Sequence, residues 1–412
     1  MVVFARSFEV AGVSSGMKKS GRNDVAVIKN TGPNKVAAGV FTTNRVHAAP
    51  VKYSRLALAR TGGNAEAVLI NSGCANACTG EQGYEHTVES AQYLAQLLNI
   101  EDTNRVLVAS TGSIGKFIKM DKFLPGILRA TEQLSTSPQN EFAVASAICT
   151  TDMVEKMAVY NRSTDTISSG KTLEELESAT SEGNNWKIGG ISKGAGMIAP
   201  QLATMISVIT TDAVLTSAQV DEALKYAVEY SFNRIDADGC MSTNDTVLLL
   251  SSGASGIVPD LDEFKEKLHG VAYALARQMI ADTEGSSHDI EVKVINALEE
   301  VHALNVARSV ARSNLLKCAI FGSDPNWGRI LASVGVVPEA DAVFDAKNID
   351  VALNGVWICK NSGIGEPREL VKMSENRAVS IVVDLKVGSK SATILTNDLT
   401  YGYVKENAEY AT

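Results

Sequence analysis

From Gly194 to Thr211 the chain reads GAGMIAPQLATMISVITT, a passage without a single charged residue. Its second part, Met205 to Thr211, is apolar and β-branched and ends at Asp212, which suits a buried strand. Its first part holds two glycines and Pro200, the residues of a turn-rich loop. This is the longest apolar passage in the chain, yet Pro200 and Gln201 interrupt it, and no stretch reaches the length that a membrane-spanning helix needs. The fold must therefore bury this strand inside a soluble body and lead an uncharged loop up to it.

With 412 residues, the chain is too long for one ordinary core and is expected to form two domains or two lobes sharing an interface. Apolar residues make up 45% and charged residues 21%, the balance of a globular protein with ample core. A net charge of −9, with no long Lys/Arg run, argues against nucleic acid as the main partner, because neutralising phosphates takes a concentrated basic surface. The first residues, MVVFARSFEVAGVSSG, form neither an apolar signal region nor an Arg-rich transit segment, and a cytoplasmic location is expected. Cys74, Cys78, Cys149, Cys240, Cys318 and Cys359 do not make a disulfide scaffold and are expected as buried free thiols. Cys74 and Cys78 have a ligand-like spacing, but no second Cys/His pair completes a zinc site and the five histidines are scattered, so no metal is expected.

Along the chain, Ala67–Asn71 and Val106–Ala109 read as buried strands, each ending in a polar loop that contains glycine. Val88, Ala91, Leu94 and Leu98 recur at helical spacing between them. Residues 163–190 are rich in Ser, Thr, Gly and Asn and read as surface loop around a short helix near Leu173–Ser178. A helix is predicted from about Ser217, taken as its cap, and another over Asp262–Ala281. His288–Val294, Asp350–Val356 and Val379–Leu385 read as strands. Both halves thus mix helix and strand, and the expected fold class is α/β, a layered sandwich with sheets inside and helices outside.

Thr204 stands where the uncharged loop meets the strand. Its hydroxyl could attack the carbonyl of Ala203, and the small side chain there leaves that carbonyl accessible. The amide would become an ester by N-to-O acyl shift, and water would complete the cut. The freed Thr204 would then carry a hydroxyl beside its own α-amine, whose pKa of roughly 8 suits it to accept the hydroxyl proton. The same composition equally describes a tight buried loop packed under a sheet, and the residues alone leave both readings open.

The string KGAGMIAPQLATMISVITTDA, Lys193–Ala213, resembles the cleavage-site signature of the ornithine acetyltransferase family, where the break precedes the threonine of an Ala-Thr-Met triplet. GRNDVAVI from Gly21, FTTNRVHAAPV from Phe41, NSGCANACTG from Asn71 and STGSIG from Ser110 follow the family's N-terminal half in order. FNRIDADGCMSTNDT from Phe232, DTEGSS from Asp282 and SDPNWGRI from Ser323 follow its C-terminal half. The likeness covers nearly the whole chain. It departs at Cys74, where the family usually has Asn, at Cys240-Met241, where a polar pair is common, and at His288, where a basic residue is more usual.

This resemblance implies an autoprocessed α-β-β-α-type sandwich similar to N-terminal-nucleophile hydrolases. It further implies an α fragment, residues 1–203, and a β fragment, 204–412, that stay associated as α2β2 or a multiple. The implied reaction moves an acetyl group from N2-acetyl-L-ornithine to L-glutamate through an acetyl ester on Thr204, with no cofactor. Members that also accept acetyl-CoA share all these motifs, so its use stays open. Thr111, by its hydroxyl, and Gly112, by its N–H, would form the oxyanion hole. Lys193 would hold a substrate carboxylate and Glu284 the cationic amine of ornithine. Thr151 is favoured over Thr150 as a further contact, and Asn407 and Thr412 would close over the substrate. STGSIGK lacks the full phosphate-loop spacing and is not read as a nucleotide site. Asn244-Asp245 is read as a structural polar cluster with no assigned role. Two alternatives remain: a hydrolase in which water replaces glutamate, and an unprocessed binding protein on the same scaffold.

Overall fold

Ile206–Thr211 is a strand in which every residue is buried, as its composition predicts. The structure, a computed structural model, describes residues 1–170, 185–197, 199, 205–373 and 375–409. In chain order the first strands are β1 (Phe8–Val13), β2 (Val25–Asn30), β3 (Val36–Phe41), β4 (Ala67–Cys74) and β5 (Val106–Ser113). β6 (Lys156–Asn161), β7 (Thr166–Gly170), β8 (Lys187–Lys193), β9 (Ile206–Thr211) and β10 (Thr246–Ser251) follow. They build two sheets, one in the order β1-β2-β4-β5 and one in the order β3-β10-β9-β8-β6-β7.

Alternate residues of the six-stranded sheet serve two different cores, as the two-residue repeat of a strand requires. Ile206, Val208, Leu248 and Leu250 join the core built on the four-stranded sheet. Ile209, Val247 and Leu249 pack instead with Val220, Leu224, Leu268 and Leu275 of the helices Ser217–Glu229 and Leu261–Ala281. The helices Ala49–Thr61, Gly80–Leu98, Met120–Glu132 and Pro138–Ile148 pack with the four-stranded sheet. The α/β fold class is as expected, with helices and two sheets in layers.

A third sheet adds a unit that a single sandwich does not contain. Its strands are β11 (Asp289–Ala297), β12 (Asp350–Leu353), β13 (Val356–Lys360), β14 (Gly363–Ile364), β15 (Ala378–Asp384) and β16 (Lys390–Asn397). In the order β14-β13-β12-β15-β11-β16, it has its own core with the helices Glu300–Ala311, Asn314–Phe321 and Trp327–Gly335.

Several local expectations need correction. The alternating run Asp350–Val356 is not one strand but a hairpin, because Asn354 and Gly355 both take positive φ, 46° and 83°, and Leu353 pairs with Val356. An Asn-Gly pair with two positive φ angles is the tight turn whose twist matches the strands it joins. Residues 163–190 are not loop throughout: β7 pairs with β6, and β8 begins at Lys187. The helix expected near Leu173–Ser178 lies outside the described residues. The cap of the helix at Ser217 is Thr216, whose hydroxyl accepts from the Gln219 N–H while the Gln219 side chain accepts from the Thr216 N–H. Cys74, Cys149 and Cys359 are buried thiols, whereas Cys78, Cys240 and Cys318 are exposed. Among the described residues no helix is long and apolar enough to cross a membrane.

Candidate active site

β4 and β5 run parallel, and their ends carry the two glycine-containing loops. Gly73 and Gly112 face each other in this ladder. Gly112 has φ +125°, and a Cβ there would lie 2.4 Å from the carbonyl carbon of Gly73. Only glycine fits, both for the backbone angle and for the close approach of the strands. Side chains lock this end. Ser110 donates to Asn71 Oδ1 at 2.6 Å, and Asn71 donates to the Cys74 carbonyl at 2.8 Å. Asn244 reaches across and donates to the carbonyls of Ala75 and Ser110, at 2.6 and 2.8 Å.

Thr111 lies between these anchors, 2% exposed, and its Oγ1 accepts a hydrogen bond from Lys193 Nζ at 3.4 Å. A hydroxyl both donates and accepts, so this contact leaves the Thr111 proton available for another acceptor. Lys193 is the last residue of β8 and is fully buried. Its charge is balanced within a compact cluster. Asp152 lies 3.8 Å from Lys193 and 2.7 Å from Lys156, and Lys156 is also 2.6 Å from Asp282. Asp152 accepts further bonds from the backbone N–H groups of Thr150 and Gly194, at 3.0 and 2.6 Å. Burial opposes ionisation of Asp152, but Lys193 and Lys156 outweigh it and hold the carboxyl well below the usual carboxylate range. For Lys156, burial disfavours the charge while Asp152 and Asp282 more than restore it, raising its pKa. The cluster fixes the Thr150-Thr151 turn beside Lys193, with both threonines partly exposed.

Beyond Lys193 the chain passes Ala195, whose carbonyl accepts from the Glu284 N–H at 2.9 Å. The Glu284 carboxylate packs on Gly196 so closely that a Cβ there would lie 2.4 Å from Oε2. Asn407, on the helix Tyr401–Glu409, donates to the same Oε2 at 3.1 Å. The segment before that helix docks on the Glu284 turn, where Asp398 accepts from the Ser287 and His288 N–H groups and pairs with the His288 ring at 2.8 Å. Thr111, Lys193, Glu284 and Asn407 are thus joined through contacts at residues 193–196, with Gly112 next to Thr111 and Thr151 next to Asp152. Ala203, Thr204 and Thr412 themselves lie outside the described residues.

Asp245 is a neighbour that the sequence reading left without a role. Its Oδ1 accepts from the Met205 N–H at 3.0 Å, one residue beyond the Ala203-Thr204 step. It is fully buried, and burial raises its pKa well above the ordinary carboxylate value despite the Met205 N–H and Lys193. Its Oδ2 has no hydrogen-bond partner among the described residues. An acidic residue directly before the apolar run TVLLL was the available signal. A cavity of about 940 Å³ lies elsewhere, among Arg308, Arg312, Arg329 and Asn326. It contains none of the site residues above.

Comparison with known proteins agrees with the ordered motifs. The ArgJ family profile matches residues 9–412. The arginine biosynthesis bifunctional protein ArgJ of Streptomyces coelicolor is 49% identical over 410 residues, covering 100% of this chain and 99% of its own. The protein of the same name from Bifidobacterium longum is 49% identical over 411 residues, covering 99% of each. The solved ornithine acetyltransferase from Mycobacterium tuberculosis, complexed with ornithine, is 38% identical. That match covers 48% of this chain and 92% of the other, with a TM-score of 0.41. The profile over residues 9–412 and the two relatives 49% identical from end to end leave one assignment: the chain belongs to the ArgJ family.

Proposed function

We propose that this chain is a self-cleaving acetyltransferase of arginine biosynthesis, cytoplasmic, which moves the acetyl group of N2-acetyl-L-ornithine to L-glutamate. The observation that carries the proposal is the 3.4 Å contact of Lys193 with Thr111, beside the Gly112 N–H and at the head of the stretch leading to Thr204. The Thr111 hydroxyl and the Gly112 N–H, adjacent at the end of one strand, would serve as the two donors beside the released nucleophile. That is the arrangement an acyl-transfer oxyanion needs.

In this proposal Thr204 first cuts the chain at Ala203-Thr204 by N-to-O acyl shift and hydrolysis. Its Oγ then attacks the acetyl carbonyl of N2-acetyl-ornithine while the α-amine takes the hydroxyl proton. Thr111 and Gly112 stabilise the oxyanion, the C–N bond breaks, and ornithine leaves with a proton on its amine. The glutamate amine attacks the acetyl-threonine ester, N-acetylglutamate departs, and the Thr204 hydroxyl is restored. One amide exchange becomes an ester-forming and an ester-breaking step. Glu284 and Asn407 hold the ornithine side-chain amine, Thr151 and Lys193 contact the substrate, and Thr412 closes over it. The pieces 1–203 and 204–412 remain together as α2β2 or a multiple. The name of the relatives, bifunctional, supports a second activity, for which acetyl-CoA is the candidate donor.

The test is the mass of the purified protein under denaturing conditions, with N-terminal sequencing. Two near-equal pieces are expected, one beginning Thr-Met-Ile-Ser, with Thr204→Ala uncut and inactive. Ornithine release that depends on added glutamate identifies transfer, and release without glutamate identifies a hydrolase. Free CoA above background, from acetyl-CoA and glutamate, establishes the second donor. A single uncut chain in an active preparation overturns the proposal.

A further inference from the structure

Donor and acceptor in the proposed reaction carry side chains of opposite charge and share an α-carboxylate. A site that takes both in turn needs positive charge left over for that shared group. Lys156 and Lys193 leave little, since the two stand against Asp152 and Asp282 at 2.6–3.8 Å. A third lysine reaches the same place from the N-terminal segment. Lys18 lays its stem over Gly73, where a Cβ would come 3.3 Å from Lys18 Cγ, and Gly73 is the cross-strand partner of Gly112. Its ammonium donates to the carbonyls of Asn23 and Cys149, at 2.8 and 2.7 Å, so it lies directly before the Thr150-Thr151 turn.

Both acceptors are neutral, and an ammonium has three N–H bonds. No third acceptor and no carboxylate bonds this group among the described residues. Asp24 is close, but its oxygens accept from the N–H groups of Ser15, Met17 and Lys18, at 2.6, 2.9 and 3.0 Å. That buried carboxylate holds the turn rigid and thereby aims Lys18. The position is half-buried, so a charge-assisted bond formed here is only partly screened.

We propose that Lys18 binds the α-carboxylate common to donor and acceptor, supplying beside Lys193 the positive charge that the internal ion cluster does not cancel. Lys18 is thus a specificity-determining residue for free amino-acid carboxylates, an inference that rests on the function proposed above. Burial is the main cause that lowers the Lys18 pKa to about 8, with Arg22 and Lys193 adding to it and Cys149 and Asp24 opposing. The cation therefore persists at neutral pH and is lost above it.

The experiment compares wild type, Lys18→Met and Lys18→Arg for self-cleavage and for kcat and KM. The acceptors are glutamate and its α-amide, which lacks the α-carboxylate. Lys18→Met is expected to process normally, with KM for N2-acetyl-ornithine and for glutamate raised roughly 10- to 100-fold, the range of a lost charge-assisted bond, and kcat changed far less. Lys18→Arg recovers most of the loss, and wild type prefers glutamate to its α-amide by a similar factor that Lys18→Met abolishes. In wild type KM for glutamate climbs from about pH 8 upward, and Lys18→Arg removes this rise because a guanidinium does not titrate there. Unchanged KM values in Lys18→Met, or an undiminished preference for glutamate over the α-amide, overturn the assignment. Should Lys18→Met fail to fold, a Lys18→Arg profile that follows wild type through pH 8 overturns it as well. A wild type that transfers no acetyl group defeats the proposed function itself, a result separate from either of these.

Discussion

Thr111 accepts a hydrogen bond from Lys193, and that contact decides where its own proton is free to point. If the hydroxyl serves a developing oxyanion, its loss reduces the rate far more than its packing volume alone would. Thr111→Val keeps the shape and removes the donor. We expect kcat for acetyl transfer to fall roughly 100- to 1000-fold, the typical effect of losing one oxyanion donor. Thr111→Ser keeps the donor and should stay within about 10-fold of wild type, on the same reasoning. Steady-state kinetics on the processed enzyme checks both, and equal rates for the valine and serine variants would reduce Thr111 to a packing residue. Asp245 behaves differently: STNDT reads as a polar cluster, and only the strand pairing that sets β9 beside β10 brings its carboxylate onto the Met205 N–H.

At the scale of elements, Asp152 clamps the end of one strand to the start of another. Lys156 opens β6, Lys193 closes β8, and the two strands pair antiparallel with Lys156 opposite Ser192. Asp152→Asn takes from the buried Lys156 and Lys193 ammonium groups the carboxylate they share, at a cost of about 3–5 kcal/mol, the usual penalty for breaking a buried pair. The pH dependence has a definite sign. The folded pKa of Asp152 lies below its ordinary value of roughly 4, so its stabilisation is fully present above that pH and is lost as pH falls further. Melting curves should show a constant gap between wild type and Asp152→Asn from pH 7 to 5 that narrows toward pH 3. A gap that stays constant to pH 3 would mean that the two lysines do not hold the Asp152 pKa down in the folded protein. None of this pairing was legible in the sequence, where Lys156 and Lys193 are far apart and only the topology joins them. What was legible followed from local chemistry. Short apolar runs marked β4, β5 and β9, and apolar residues at helical spacing marked the helices Ser217–Glu229 and Leu261–Ala281, their starts to within a residue. The misses have the same physical root. The alternation of Asp350–Val356 continues through a turn because Asn354-Gly355 sits inside it, and the polar composition of residues 163–190 hid an edge strand, β7, whose faces remain largely exposed.

For the whole molecule, the six-stranded sheet determines what a cut at Ala203-Thr204 can do. β9 and β10, from the C-terminal side of that step, lie in the middle of the sheet, with β3 on one side and β8 on the other. Both seams are antiparallel and in full register, Lys193 opposite Ile206 and Ile188 opposite Thr211 at one, Phe41 opposite Thr246 and Val36 opposite Ser251 at the other. Ile206, Val208, Leu248 and Leu250 also bury their side chains in a core otherwise made by residues before 204. Separating the pieces would expose this apolar surface and both strand edges together, and hydrophobic burial is the larger of the two terms. One backbone bond contributes nothing to either. Processed wild type and uncut Thr204→Ala should therefore have the same native mass by sedimentation and differ only on a denaturing gel. In rising urea the pieces should part only at the transition that unfolds the sheet. Native separation of the two fragments before any loss of secondary structure would show that the seams do not hold them, and the proposed pairing of Thr204 with Thr111 and Gly112 across the cut would then predict activity lost on processing.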